Sequence, residues 1–293
     1  MPDFPFTTVD VFTTSRFAGN PLAVITDARG LDTAAMQAIA REFNYAESTF
    51  VFPPTDPANT AHVRIFTPEE EMPFAGHPNV GTGFVLARLG TLFGRPVPDR
   101  MIFEEAAGLV PVTIRREAGA ITGATVRAPR PLALGTIVDP VRVAALAGLD
   151  PADILTTRHP PRFASVGAEF LIAEVGADAL ARARCNVAAF EAAEGNIGQS
   201  AGLLGLHLYA RHTDHIEVRM FAPLAGVTED PATGSAAAAL GAWLNALDPA
   251  ETRFTLHQGR HVRRPSLIEV EAGPNAVTVG GPCVPVMAGM LHL

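Results

Sequence analysis

VRIFTPEEEMPFAGHPNVGTGFVLARLG, residues 63–90, reads as a strand, a turn and then a helix with almost no polar side. The β-prone run 63–66 ends at Thr67-Pro68. Gly76-His77-Pro78 forms a turn, with Pro78 where the first residue of a helix would fit. From Asn79 to Leu89 the residues are small or apolar on nearly every side, interrupted only by Thr82 and Arg88. A helix that is apolar almost all round is a buried helix. His77 is therefore expected at the mouth of a buried helix, beside backbone N–H groups that favour an anion.

The chain repeats this plan. Val63-Arg64-Ile65-Phe66-Thr67-Pro68 matches Val218-Arg219-Met220-Phe221-Ala222-Pro223, and His77 to Gly83 matches Asp230 to Ala236. A third echo sets Asn44-Tyr45-Ala46-Glu47-Ser48 against Asn196-Ile197-Gly198-Gln199-Ser200. Three short matches in one order at nearly one offset predict an ancient duplication. On this alignment His77 and Asp230 both stand at helix starts. Gln199, which cannot titrate, stands where the first half has Glu47.

A chain of 293 residues suits two domains. It is 48% apolar and 18% charged, the balance of a folded globule. A net charge of −8 argues against nucleic acid or an anionic membrane as the main partner. The two cysteines, Cys185 and Cys283, form no CxxC and no disulfide framework. No signal peptide is evident, and the most apolar helical stretch, 236–247, is too short to span a bilayer. The expectation is a soluble, cytoplasmic protein.

Short apolar runs at 6–12, 22–25, 50–52 and 63–66 predict strands, and 33–43 predicts a helix capped by Asp32. Further runs at 102–103, 109–114 and 124–127 follow. Pro129-Arg130-Pro131 interrupts both helix and sheet and marks the boundary. Beyond it, helices are expected at 141–149, 177–184 and 187–194, and a central helix from Pro231. Many short strands and one buried helix per half predict a curved sheet wrapped round each helix. The alanines at 236–239 would let that sheet close tightly.

Few residues carry chemistry. Glu47 lies between a helix and a strand, near Tyr45 and Phe50, surroundings that raise a carboxyl pKa and suit proton transfer. His77 can orient a substrate, donate a hydrogen bond or relay a proton. Asp230 is a carboxylate at a helix start, a place that N-capping alone would explain. Gly234 and Ser235 lie in the following turn, where a glycine admits a ligand and a hydroxyl binds a carboxylate. Gly81 and Thr82 are their counterparts. There is no HExxH, phosphate loop, dinucleotide fingerprint or GxSxG. No metal or cofactor is expected.

These residues together resemble the PhzF-like phenazine biosynthesis isomerase family, which shares the diaminopimelate epimerase fold. The resemblance rests on Val9-Asp10-Val11-Phe12, Gly19-Asn20-Pro21-Leu22-Ala23-Val24, residues 44–50, Pro73-Phe74-Ala75-Gly76-His77-Pro78, residues 229–235 and Arg264-Pro265-Ser266. It implies an α+β fold of two pseudo-symmetric domains, 1–129 and 130–279, each a mostly antiparallel barrel round a central helix. It allows 280–293 to cross back and complete the first. The implied site lies between the domains, with Glu47 as the acid–base residue. His77, Asp230 and Ser235 would hold and orient the substrate, with Gly76 and Gly234 near its carboxylate.

The implied reaction is a cofactor-independent isomerisation of a small carboxylate-bearing metabolite, as for 2,3-dihydro-3-hydroxyanthranilate, by a homodimer. Two departures stand out: Ala46 replaces a common serine, and Arg263 a common glycine. The competing readings are a racemase or epimerase, which on this fold uses two opposed thiols, and a metabolite-binding protein without catalysis.

Overall fold

The structure, a computed structural model, describes residues 3–200, 203–274 and 276–293. The chain forms two compact units, one of residues up to 129 with 278–293, the other of 130–277.

The first unit carries β1 (Asp3–Val11), β2 (Asn20–Ile25), α1 (Thr33–Phe43), β3 (Glu47–Phe52), β4 (Ala61–Phe66), the short β5 (Glu71–Met72) and α2 (Gly76–Leu89). A two-residue hairpin, β6 (Thr91–Leu92) and β7 (Arg95–Pro96), leads to β8 (Arg100–Glu105), β9 (Gly108–Glu117) and β10 (Ala120–Arg127). The second unit has β11 (Ala133–Ile137), α3 (Pro140–Ala147), β12 (Ile154–Leu155), β13 (Arg162–Ser165), β14 (Glu169–Val175), α4 (Ala177–Arg182) and α5 (Val187–Ala193). It continues through β15 (Leu206–Arg211), β16 (Ile216–Ala222), β17 (Val227–Asp230), α6 (Gly234–Leu247), β18 (Arg253–Gln258) and β19 (Ser266–Gly273). The last strand, β20 (Ala276–His292), is long, and almost all of it belongs to the first unit.

In the first unit the pairing runs β1–β2–β3–β4–β8–β9–β10–β20 and returns to β1, a closed barrel of eight strands. All contacts are antiparallel except β2–β3 and β4–β8. Closure removes the open sheet edges. Helix α2 fills the interior and is buried from Gly76 to Ala87. Its glycines let the wall approach. A Cβ on Gly81 would lie 2.6 Å from Leu22 Cδ2, and one on Gly83 2.6 Å from Val112 Cγ1. A polar contact deep in this core joins Thr82 Oγ1 to Thr49 Oγ1 at 2.8 Å. Outside the barrel, α1 lays Met36, Ile39 and Ala40 on Ile25, Phe50 and Phe66.

The second unit repeats the plan. Its strands pair in the order β11–β13–β14–β15–β16–β18–β19, with the parallel contacts β14–β15 and β16–β18 answering β2–β3 and β4–β8 of the first unit. Helix α6 carries the buried alanines Ala236, Ala237, Ala238 and Ala239, and a Cβ on Gly241 would lie 2.6 Å from Val270 Cγ1.

The strand register corrects the sequence alignment of the two halves. Phe66 and Phe221 match as expected, and they pair with Ser48 and Leu206. The counterpart of Glu47 is therefore Gly205, not Gln199, which hydrogen-bonds Glu194 instead. The helices match by packing: Gly83 sits against Val112 and Gly241 against Val270. This aligns Gly76 with Gly234 and His77 with Ser235.

Asp230 is not at the helix start. It ends β17 opposite Met220, where the first unit has Met72 opposite Ile65. The helices themselves begin at Gly76 and Gly234, not at Pro78 and Pro231.

Candidate active site

Glu47 is the first residue of β3, and Asn20 the first of β2. These strands are parallel, with Leu22 beside Glu47. Since Thr49 points inward at Thr82, Glu47 two residues earlier faces the same way. It meets His77, the second residue of α2. His77 Nε2 lies 3.5 Å from Glu47 Oε2, with the ring 4% exposed and the carboxyl 18%. The separation exceeds a formed hydrogen bond, so the groups are neighbours and not a locked pair.

Burial pulls the His77 pKa down to about 3, against a smaller opposing pull from the Pro21 carbonyl. The imidazole is neutral at physiological pH. Asn20 Nδ2 stands 3.3 Å from Nδ1. With Nδ1 accepting from that amide, the ring proton lies on Nε2 and faces Glu47. The other tautomer leaves Nε2 as an acceptor towards the same carboxyl. A neutral imidazole can thus face Glu47 in either of its protonation states.

The two buried helices, like the short α4 with Gly176 at its N-cap, start without a side-chain cap. Asp32, Asp139 and Asn186 cap α1, α3 and α5 with their side chains. Ala75, at the N-cap of α2, makes no side-chain cap. Thr233, at the N-cap of α6, makes none either. The first N–H groups of both buried helices are left to bind an anion, which the helix dipole favours.

In the second unit Asp230, Gly234 and Ser235 lie on one short segment. Thr233 Oγ1 donates to Asp230 Oδ2 at 2.5 Å. Gln258, buried, grips the segment: Nε2 donates to the Asp230 carbonyl at 2.8 Å and to Thr233 Oγ1 at 3.0 Å, while Oε1 accepts from the Thr233 N–H at 3.1 Å. Ser266 Oγ donates to the Pro231 carbonyl at 2.8 Å. The preceding residue, Glu229, forms a two-pronged ion pair with buried Arg219, at 2.7 and 2.9 Å. Arg219 also donates to the Leu180 and Ala183 carbonyls.

The structure thus brings Glu47, His77 and Gly76 together at one end of the first unit. It places Asp230, Gly234 and Ser235 on a braced turn of the second. Sequence reasoning missed Asn20 and Gln258. Asn20 was quoted only within the run Gly19 to Val24, with no role of its own, and Gln258 lies far along the chain from the segment it holds. The thiols differ from a catalytic pair: burial pushes Cys283 up to about 12 and raises Cys185. Among the described residues no helix is long and apolar enough to cross a membrane.

These features define a two-unit α+β protein in which strands wrap a central helix whose uncapped start carries a neutral imidazole facing a strand-borne carboxyl. The family of phenazine biosynthesis-like proteins (PhzC-PhzF) matches residues 9–289, and the chain belongs to it. An uncharacterized isomerase of Mesorhizobium japonicum is 39% identical, over 97% of each chain. The trans-2,3-dihydro-3-hydroxyanthranilate isomerase of Pseudomonas aeruginosa is 32% identical, over 91% of this chain and 90% of that one. The crystal structure of a PhzF-family phenazine biosynthesis protein from Bacillus anthracis matches with a TM-score of 0.87 over the full length of both chains at 24% identity, a likeness of fold.

Proposed function

We propose that this chain is an isomerase that moves a proton between carbons of a small carboxylate-bearing substrate without a cofactor, with Glu47 as the acid–base group. The observation that carries this reading is Glu47 Oε2 at 3.5 Å from the neutral, buried His77 at the uncapped start of α2. The substrate carboxylate binds the N–H groups of Gly76 and His77, which offset its desolvation. Glu47, as carboxylate, takes a proton from an activated carbon. The neutral acid, whose proton exchanges with solvent, then delivers a proton to a second carbon on the same face, so the enzyme ends as it began. His77 stays uncharged and hydrogen-bonds the reacting carboxyl or substrate in either tautomer. In the second unit, Gly234 and Ser235 offer the matching helix start, and Asp230 is the carboxylate held beside it.

The relative's substrate, trans-2,3-dihydro-3-hydroxyanthranilate, is the first compound to try. Incubated in D₂O with the protein, a true substrate acquires carbon-bound deuterium. A compound that raises the thermal midpoint without deuterium uptake marks a binding protein. The two-thiol epimerase reading draws no support from a buried Cys283 whose thiol is pushed up to about 12.

A further inference from the structure

A second carboxyl sits inside the first barrel. Along β8 the buried residues alternate, Met101 and Phe103 facing in, so Glu105 shares their face. Glu104 faces out, where it accepts from the Thr55 and Asp56 N–H groups and from Asn59. Glu105 comes from the end of β8 whose following turn is tied to the approach to α2, through the Ala107 N–H and the Pro73 carbonyl at 3.0 Å. Its neighbour is Asn79, in the first turn of α2 and fully buried.

The hydrogen-bonding groups here do not balance. Asn79 Nδ2 donates to the Ala75 carbonyl at 2.9 Å, fixing the residue that opens the helix. Asn79 Oδ1 and both oxygens of Glu105 are buried acceptors that form no hydrogen bond. A carboxylate here would be a buried charge with no cation acting on it, the costliest arrangement available. One proton on Glu105 supplies the missing donor.

We propose that Glu105 is held as a neutral acid that donates to Asn79 Oδ1, making it a positioning residue that braces the start of α2 on which His77 stands. The chain of contacts runs Glu105 to Asn79 to the Ala75 carbonyl, and it sets the direction of the Gly76 and His77 N–H groups. Burial pushes the Glu105 carboxyl up to about 8, and the Asn79 amide works against this more weakly. No charged group adds to the shift. His77, two residues before Asn79, lies on the other side of the helix turn.

The bracing role rests on the proposed use of the α2 start, but its test does not depend on turnover. Infrared spectra of the full-length protein at pH 7 will show the C=O band of a protonated carboxyl that E105Q lacks. Amide hydrogen exchange at Gly76, His77 and Asn79 will speed up about tenfold in E105A, for a lost hydrogen bond. It will stay near the native rate in E105Q, whose side-chain amide still donates. A native spectrum without the band, or a band that survives in E105Q, overturns the neutral acid. Exchange that is unchanged in E105A, or equally raised in both variants, overturns the brace. If both tests succeed while no substrate exchanges deuterium, the isomerase reading fails alone.

Discussion

His77 Nε2 and Glu47 Oε2 lie 3.5 Å apart, and the imidazole of the pair is the member that cannot hold charge. A protonated histidine would keep Glu47 ionised and resist its becoming a neutral acid. A neutral one lets the carboxyl change state. The relationship depends on burial, since desolvation is the larger influence on His77.

That dependence sets a pH prediction. The folded His77 pKa is about 3 against 6.5 for the free side chain, so between those values the unfolded chain binds more protons. Stability is fully present above pH 6.5 and falls as pH drops towards 3, by about 1.4 kcal/mol per unit at most. His207, fully buried with a pKa of about 3, adds in the same direction. Denaturation of His77→Gln should show a shallower acid limb than the native protein, and the His77 ring should show no NMR titration between pH 5 and 8.

Gln258 holds the Asp230 segment through three hydrogen bonds. Gln258→Ala leaves the Thr233 N–H and the Asp230 carbonyl without this partner, at a cost of about 1–3 kcal/mol. Chemical denaturation measures that cost. Faster amide exchange from Thr233 to Ser235 should accompany it, with the first barrel unaffected.

Arg263 has φ +60°, in the left-handed region, at the end of a short turn, Arg260–Val262. Its side chain is exposed. The departure noted in the sequence therefore carries a backbone cost. Arg263→Gly should stabilise the protein by roughly 1 kcal/mol, read as a raised thermal midpoint.

Helix α2 meets the barrel wall through glycine. Gly81→Val puts atoms at 2.6 Å from Leu22 Cδ2 and 2.8 Å from Val11 Cγ2. Overpacking of this kind costs about 1–3 kcal/mol and should lower the thermal midpoint accordingly.

Much of this architecture was legible from the chain. The all-apolar run after His77 has no place except inside the sheet, and it is buried there. The Val-Arg-Ile-Phe and Val-Arg-Met-Phe strands were matched correctly, because each alternates inward and outward residues against its own helix. The helix starts were misaligned. Asp230-Pro231 resembles His77-Pro78, yet three more residues separate strand from helix in the second half, from Phe221 to Gly234 against Phe66 to Gly76. A short motif match cannot register such an insertion; only packing partners can. A separate chance match, upstream of that insertion, assigned Gln199 to Glu47; the register of β15 on β16 moves the counterpart to Gly205. Glu105 and Gln258 were invisible for another reason: their importance lies in partners 26 and 25 residues away, Asn79 and Thr233.

The most direct test of the proton-transfer account is Glu47→Gln, assayed by deuterium uptake into trans-2,3-dihydro-3-hydroxyanthranilate, or into whichever small carboxylate the native protein exchanges. Gln keeps the shape and cannot carry the proton. With its thermal midpoint near native, the variant should lose on the order of 10²–10⁴-fold in exchange rate. A folded Glu47→Gln protein that exchanges deuterium at the native rate would contradict the assignment.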